Sequence, residues 1–322
     1  MTYNEFKQKL KKAISYEYIE VNMEEISEID WKKSKYIAGH REKLFYNVDS
    51  SIFSELIDDL QHFPGCGYVT TENGTIKNGF IPKRLSCLVK NQNPGQKSKM
   101  NDPEYAGREA LASRVLNLYG CATPFNLLIK DLSIDDDYPY RTLSVDMVSE
   151  YFEPFARFKC EFQGGLKKNV TQIKKQLTQY KNIIGEDAVN DDLERICHNY
   201  SYSYLVRKLL LHDGDFDEVN AGILIENGKL KYTNFDYECS FFDYFVSPSY
   251  KATLEYVRTD FPDAYARFRF ITELIHKALS EMINNDEIKW VSKSHKNNVK
   301  LLHTNSKRVL ATMKVIDQLP TQ

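Results

Sequence analysis

The sequence lacks several features that would place it quickly. Its six Cys (Cys66, Cys87, Cys121, Cys160, Cys197 and Cys239) form no Cys-x-x-Cys pair. That argues against a zinc site and against a disulfide framework, and it fits a reducing cytosol. No window approaches 18 consecutive apolar residues, so no transmembrane helix is expected. The N-terminus, MTYNEFKQKLKKAISYEYIEV, has no apolar core followed by a small-residue cleavage site, so no Sec-type signal is expected. A net charge of -2 supplies no global field toward nucleic acid or an anionic membrane. There is no internal repeat, no low-complexity tract and no Gly-x-Gly-x-x-Gly phosphate loop.

What is present is a chain of 322 residues, 42% hydrophobic and 27% charged, with 21 Tyr and 18 Phe. That is the composition of a globular protein with a sizeable core, and the length suggests two domains or lobes. Residues 1–36 are mixed and charged, and read as helix and connection. Residues 37–92 read as strand-rich, with turn signals at ENG (72–74) and KNG (77–79) and a β-like run RLSCLVK (84–90). A polar loop, 91–103, leads to the helix PEYAGREALASRVLNLYG, with Pro103 in its first turn and Gly120 at its stop. FNLLIKD (125–131) and RTLSVDMVSEYF (141–152) read as strands. From about 155 to 320 the pattern is mostly helical, except for a hairpin in GILIENGKLKYTNFD that turns at Asn227–Gly228. The order predicts an α+β, two-lobed fold, divided into residues 1–148 and 149–322.

The chemistry concentrates in LLLHDGDFDEVNAGILI (209–225). Asp213, Asp215, Asp217 and Glu218 crowd together between two apolar runs. A solvated turn between two strands would look the same, but crowded carboxylates also suit a metal carrying a phosphorylated ligand. Asp215 and Asn220 are spaced as D-x4-N, and Asp236 closes the return strand of the hairpin. This is the set that phosphoryl transfer needs: one carboxylate to orient a hydroxyl and take its proton, and an Asn and an Asp to hold Mg2+. Asp217 and Asp213 are rival catalytic candidates; they stand three and seven residues before Asn220, off the spacing, and Asp213 ranks second because a shift of one turn in its H-x-G-D context would bring it into place. His212 precedes the loop, as a packing residue or as a holder of it.

Two further parts complete a kinase order. Lys90 ends the strand RLSCLVK. Glu109 shares a helical face with Ala112 and Leu116, so it points inward and wants a cation, for which Lys90 is the natural choice. The segment IAGHREK (37–43) has one Gly to present backbone N–H groups to phosphate, and Lys43 to add charge. An ordinary turn before a strand would read alike.

At these residues the chain resembles the HipA family of bacterial serine/threonine kinases. Ile37, Ala38, Gly39, His40, Arg41, Glu42 and Lys43 match the family's I-A-G-x-x-E-K loop. IPKRLSCLVK matches its Lys strand, and Glu109, Gly120 and Pro124 match its Glu helix. VSEYF is similar to the family hinge, which implies that Glu150 and Phe152 lie at the adenine with backbone groups near Tyr151 in contact. Asp215, Asn220 and Asp236 fall on the family's D-x4-N and later Asp. The matching segments span about residues 34–245.

The resemblance implies a bilobal protein-kinase-like fold with ATP and Mg2+ as cofactors. It also implies serine/threonine protein phosphorylation and autophosphorylation. Length and pattern resemble compact HipA-like effector kinases, implying release from the bacterial cytoplasm and action in a host cell without a classical signal. Three departures stand out. Only 36 residues precede the loop, which weakens the case for a HipB-like DNA-binding partner. The family's regulatory Ser before I-A-G is Tyr36 here. The insertion SSIFSELIDDLQHFPGCG (50–67) reads as partly helical.

Two other functions fit the same residues. HDGDFDEVN also resembles the H-G-D-x4-N of aminoglycoside phosphotransferases, and a nucleotide-binding scaffold would need no transfer at all. The segment 289–308 carries eight Lys, Arg or His residues; it is read as a solvated helix face rather than as a nucleic-acid surface.

Overall fold

The computed structural model describes residues 1–15, 18–22, 43–49, 70–71, 74–75, 84–90, 105–121, 125–133, 140–145, 155–158, 165–180, 186–214, 216, 220–226, 229–234, 237, 240–241, 249–290 and 293–320. The chain mixes helix and strand and is mostly helical. Its contacts divide it into two units. One is Tyr16–Phe155; the other joins Met1–Ser15 to Ala156–Gln322.

The first unit is built on a five-stranded sheet. Its strands are β1 (Tyr18–Val21), β2 (Lys43–Asp49), β5 (Arg84–Lys90), β6 (Phe125–Asp131) and β7 (Tyr140–Val145), in the order β1-β6-β7-β5-β2. β1 runs parallel to β6, and the other pairs are antiparallel. β5 and β6 coincide with the runs RLSCLVK and FNLLIKD. The ENG turn signal falls in a small hairpin of β3 (Thr70–Thr71) and β4 (Gly74–Thr75), closed by the pair Thr71↔Gly74. One helix, α2 (Tyr105–Tyr119), packs on β6 and β7 and buries Ala112, Val115, Leu116 and Tyr119 completely. It stops at Gly120, whose φ of 69° is open to glycine at little cost. β1 is a strand that composition does not announce: YIEV is four residues long and pairs 110 positions away, Tyr18 with Leu128.

Among the described residues, the second unit holds six α-helices and a three-stranded sheet. The helices are α1 (Tyr3–Ile14), α3 (Leu166–Leu177), α4 (Glu186–Tyr204), α5 (Tyr250–Asp260), α6 (Pro262–Asn284) and α7 (Lys293–Asp317). The sheet has the order β10-β9-β8, with β8 (Phe155–Arg157), β9 (Ala221–Glu226) and β10 (Lys229–Asn234). The β9–β10 register closes on Glu226↔Lys229, leaving Asn227 and Gly228 for the connection. β8 lies where the sequence predicts helix.

The sequence places residues 1–148 together, yet the contacts put α1 with the second unit and the boundary at Phe155. The cause is the buried stripe Phe6, Leu10, Ala13 and Ile14, spaced for one helix face and packed on α6. A capping box between Thr2 and Glu5 starts the helix. Lys7 bridges Glu281 and Glu287 at 3.3 and 3.1 Å, and Lys277 lies 4.2 Å from the Tyr3 ring centre.

Edge strand β10 is guarded by side chains. Asp192 Oδ2 accepts the Leu230 N–H at 2.7 Å, while Arg195, ion-paired with Asp192, donates to the Leu230 carbonyl at 2.6 Å. Both free edge groups of that residue are thereby satisfied.

Candidate active site

α4 does not end at Tyr204. It widens into a π-helical stretch, Leu205–Leu210, every residue of which is buried. The widening re-aims the chain just before the acidic loop; such π-bulges recur at functional sites.

A helix end leaves carbonyls without partners, and here three elements supply them. The Tyr250 hydroxyl of α5 donates to the Leu209 carbonyl at 2.9 Å. Asn305 Nδ2 of α7 donates to the Leu210 carbonyl at 2.8 Å. The Phe241 N–H donates to the Leu211 carbonyl at 2.5 Å. His212, at φ 50°, takes the left-handed conformation that non-glycine residues rarely adopt. Its Nε2 lies 2.7 Å from Tyr250 Oη. Because Tyr250 spends its one hydroxyl proton on Leu209, the proton in the His212 contact sits on Nε2. His212 therefore holds the loop through α5.

The centre of the arrangement is Arg207. Its Nε donates to Asp213 Oδ2 at 2.6 Å, Nη2 pairs with the same oxygen, and neither side chain has any exposed surface. Nη1 lies 3.4 Å from both the Asn220 carbonyl and Asn234 Oδ1. Phe216 and Tyr237 cover the guanidinium at 4.3 and 4.5 Å from their ring centres. The Tyr237 hydroxyl donates to the Asn234 carbonyl at 2.6 Å, and Lys208 Nζ to the Gly214 carbonyl at 3.3 Å. Behind Phe216, Tyr200 stacks at 5.4 Å, and Phe158, Tyr204 and Tyr232 complete an aromatic cluster.

This geometry assigns Asp213. Its carboxylate is wholly enclosed and committed to a guanidinium, so it is an anchor and cannot reach a substrate hydroxyl. Asn220 is buried at the start of β9, its carbonyl tied to Arg207.

The other predicted residues divide as follows. Glu109 lies in α2 and is 1% exposed, on the face it shares with Ala112 and Leu116. Lys90 ends β5, and Lys43 opens β2 directly opposite it in the register, so the end of the IAGHREK segment and the end of the Lys strand meet at one end of the sheet. The side chains of Lys43 and Lys90 lie outside the described residues, as do Ile37, Ala38, Gly39, His40, Arg41, Glu150, Tyr151, Phe152, Asp215, Asp236 and the 50–67 insertion. In the sequence Asp215 stands between Gly214 and Phe216, and Asp236 precedes Tyr237. Among the described residues, no group of three His, Cys, Asp or Glu side chains could hold a metal. The donors proposed from the sequence, the Asn220 amide oxygen and the Asp236 carboxylate, are the hard oxygen ligands that Mg2+ takes.

Arg207, Tyr237, Tyr250 and Asn305 were not singled out from the sequence. One signal for Arg207 was available: in YSYSYLVRKLLL it falls on the helix face shared by Tyr200 and Tyr204, a charge aimed into an apolar core.

No protein-family model matches the chain, and no curated protein matches its sequence. Among solved structures it is similar to the crystal structure of a Helicobacter pylori proinflammatory kinase, CtkA. The TM-score is 0.51 at 12% identity, over 95% of this chain and all of that one. The fold is a CtkA-like kinase fold. The length and motif order of the sequence resemble that same protein, but at 12% identity the likeness is one of fold and not of identity. Among the described residues no helix is long and apolar enough to cross a membrane.

Proposed function

We propose that the protein is an ATP-dependent protein serine/threonine kinase of the HipA-like kind. The observation that carries this is the Arg207 junction: one guanidinium touches both the loop bearing D-x4-N and the segment flanking Asp236. In a kinase fold those are the two segments that must be held together.

In this reading Asp215 orients the acceptor hydroxyl and takes its proton. Asn220 and Asp236 hold Mg2+, which when bound neutralises charge on the phosphate oxygens. Lys90 contacts the nucleotide phosphates and Glu109 orients it, since a buried carboxylate needs a cation nearby. Residues 37–43 cover the phosphates, and Glu150, Tyr151 and Phe152 meet the adenine. The serine/threonine preference, autophosphorylation and action as an effector in a host cell follow from the family resemblance.

The test is the chemistry of the acceptor. The protein is incubated with γ-labelled ATP and Mg2+, with a generic protein substrate in one reaction and an aminoglycoside in another. Acid-stable, base-labile label on protein supports the proposal. Label on the aminoglycoside alone overturns it in favour of a small-molecule phosphotransferase.

A further inference from the structure

The outer face of α7 carries a row of like charges. Lys293, Lys300, Lys307 and Lys314 recur every seven residues, and all four are exposed. Seven residues nearly complete two helical turns, so the row drifts by only about 20° per step and stays in one band. At a rise of 1.5 Å per residue the band is about 32 Å long. Within α7 the first acidic residue is Asp317, and it is taken by Arg269 and the Tyr265 hydroxyl. Other lysines of this unit have carboxylates: Lys7 has Glu281 and Glu287, Lys174 has Glu194, and Lys251 has Glu255. The four in the row have no such partner among the described residues.

The row does nothing for the helix. Its charges stand about 10.5 Å apart, beyond the Debye length of about 8 Å, so they repel one another weakly and gain nothing. At the start of α7, Lys293 and Lys296 oppose the macrodipole, and no acidic residue in the first turn balances them.

The kind of charge selects the partner. The row contains no Arg, and the Arg308 guanidinium lies over the Tyr250 ring, 5.1 Å from its centre. The fork that grips phosphate in two places is therefore missing from it. No Phe, Tyr or Trp occurs in α7 to stack on bases. The apolar face that would enter a bilayer, Val299, Leu302, Val309 and Met313, is buried in the protein. What remains is a narrow line of hydrated point charges, matched by carboxylates.

We propose that this face of α7 docks an acidic segment of a partner protein, its carboxylates pairing with Lys293, Lys300, Lys307 and Lys314 in succession. The docking needs no residue of the candidate active site, so it stands apart from the kinase reading.

The experiment measures fluorescence anisotropy of a labelled poly-glutamate peptide with the full chain, without nucleotide. Labelled duplex DNA of random sequence and vesicles of phosphatidylcholine with phosphatidylserine are the competing occupants. One variant is Lys293→Gln/Lys300→Gln/Lys307→Gln/Lys314→Gln. A control removes the same charge from exposed positions of α1 and α3: Lys11→Gln/Lys12→Gln/Lys167→Gln/Lys175→Gln. Thermal melts of both precede binding.

The expected result is a row variant that melts no lower than wild type and binds the peptide about tenfold or more weakly, while the control binds as wild type does. A wild-type chain that does not bind the peptide overturns the proposal. Equal weakening in the two variants reduces the effect to net charge and overturns it as well. A lower melting temperature in the row variant assigns the lysines to the fold instead. Binding to DNA or vesicles that depends on the row and is tighter than binding to the peptide assigns the face to that other partner.

Discussion

Arg207 and Asp213 form an ion pair in which neither side chain reaches solvent. Removing one member of such a pair strands the other, at a cost of about 3–5 kcal/mol. Asp213→Asn is therefore expected to lower urea-unfolding stability by about that amount. Asp215→Ala, two residues on, should leave stability within about 1 kcal/mol, as a substitution outside that pair. Equal losses in the two variants would contradict the assignment of Asp213 as the anchor.

Asp192 and Glu194 make a second contrast on one helix. Asp192 satisfies the buried Leu230 N–H of edge strand β10. Asp192→Ala leaves that donor without its acceptor, at about 1–3 kcal/mol. Glu194 pairs with Lys174 at 2.9 Å, but the two side chains are 68% and 41% exposed. Glu194→Ala is expected to cost under about 1 kcal/mol. Chemical denaturation of the two variants decides; an Asp192→Ala as stable as Glu194→Ala would show that β10 does not need its guard.

His276 of α6 and His303 of α7 stack with ring centres 4.8 Å apart, tied to Ser306 at 3.1 Å and Ser280 at 2.8 Å. Burial holds the His276 imidazole below its ordinary value, with Lys307 adding and a hydrogen bond at His303 opposing. Burial also holds His303 down, and His276 and Lys307 add to it. Below the ordinary value of about 6.5, the unfolded chain binds protons that the folded chain refuses. This contribution is fully present above that pH and is lost as pH falls through it toward the depressed folded values. The lowered carboxylates, Glu5 beside Thr2 and Glu287 beside Asn285 and Lys7, act only at lower pH. Melting temperature should thus fall as the pH drops below about 6.5 in the wild type. The fall should be shallower in His276→Asn/His303→Gln, and an unchanged slope would exclude the pair as its source.

Much of the local structure was legible before any coordinates. β5, β6, α2 and the β9–β10 hairpin are each specified by their own residues: apolar runs bounded by turn signals, a glycine stop, an Asn-Gly turn. What escaped depends on distant partners. YIEV forms β1 only because β6 offers a free edge. The stripe on α1 announces a buried face but not that α6 covers it. The candidate site shows the same limit. The spacing of Asp215, Asn220 and Asp236 can be read along the chain, while Tyr250, Asn305 and Phe241 hold the loop from up to 95 positions away. Hydrogen-bond partners at that separation leave no periodicity to read.

The most direct test of the kinase reading is transfer of labelled γ-phosphate from Mg-ATP by the wild type and by Asp215→Ala, offering generic protein and the protein itself. The expected result is label on protein that falls by at least about two orders of magnitude in the variant, as loss of a general base requires. Transfer by Asp215→Ala at the wild-type rate would contradict it, and so would ATP binding without transfer by either protein.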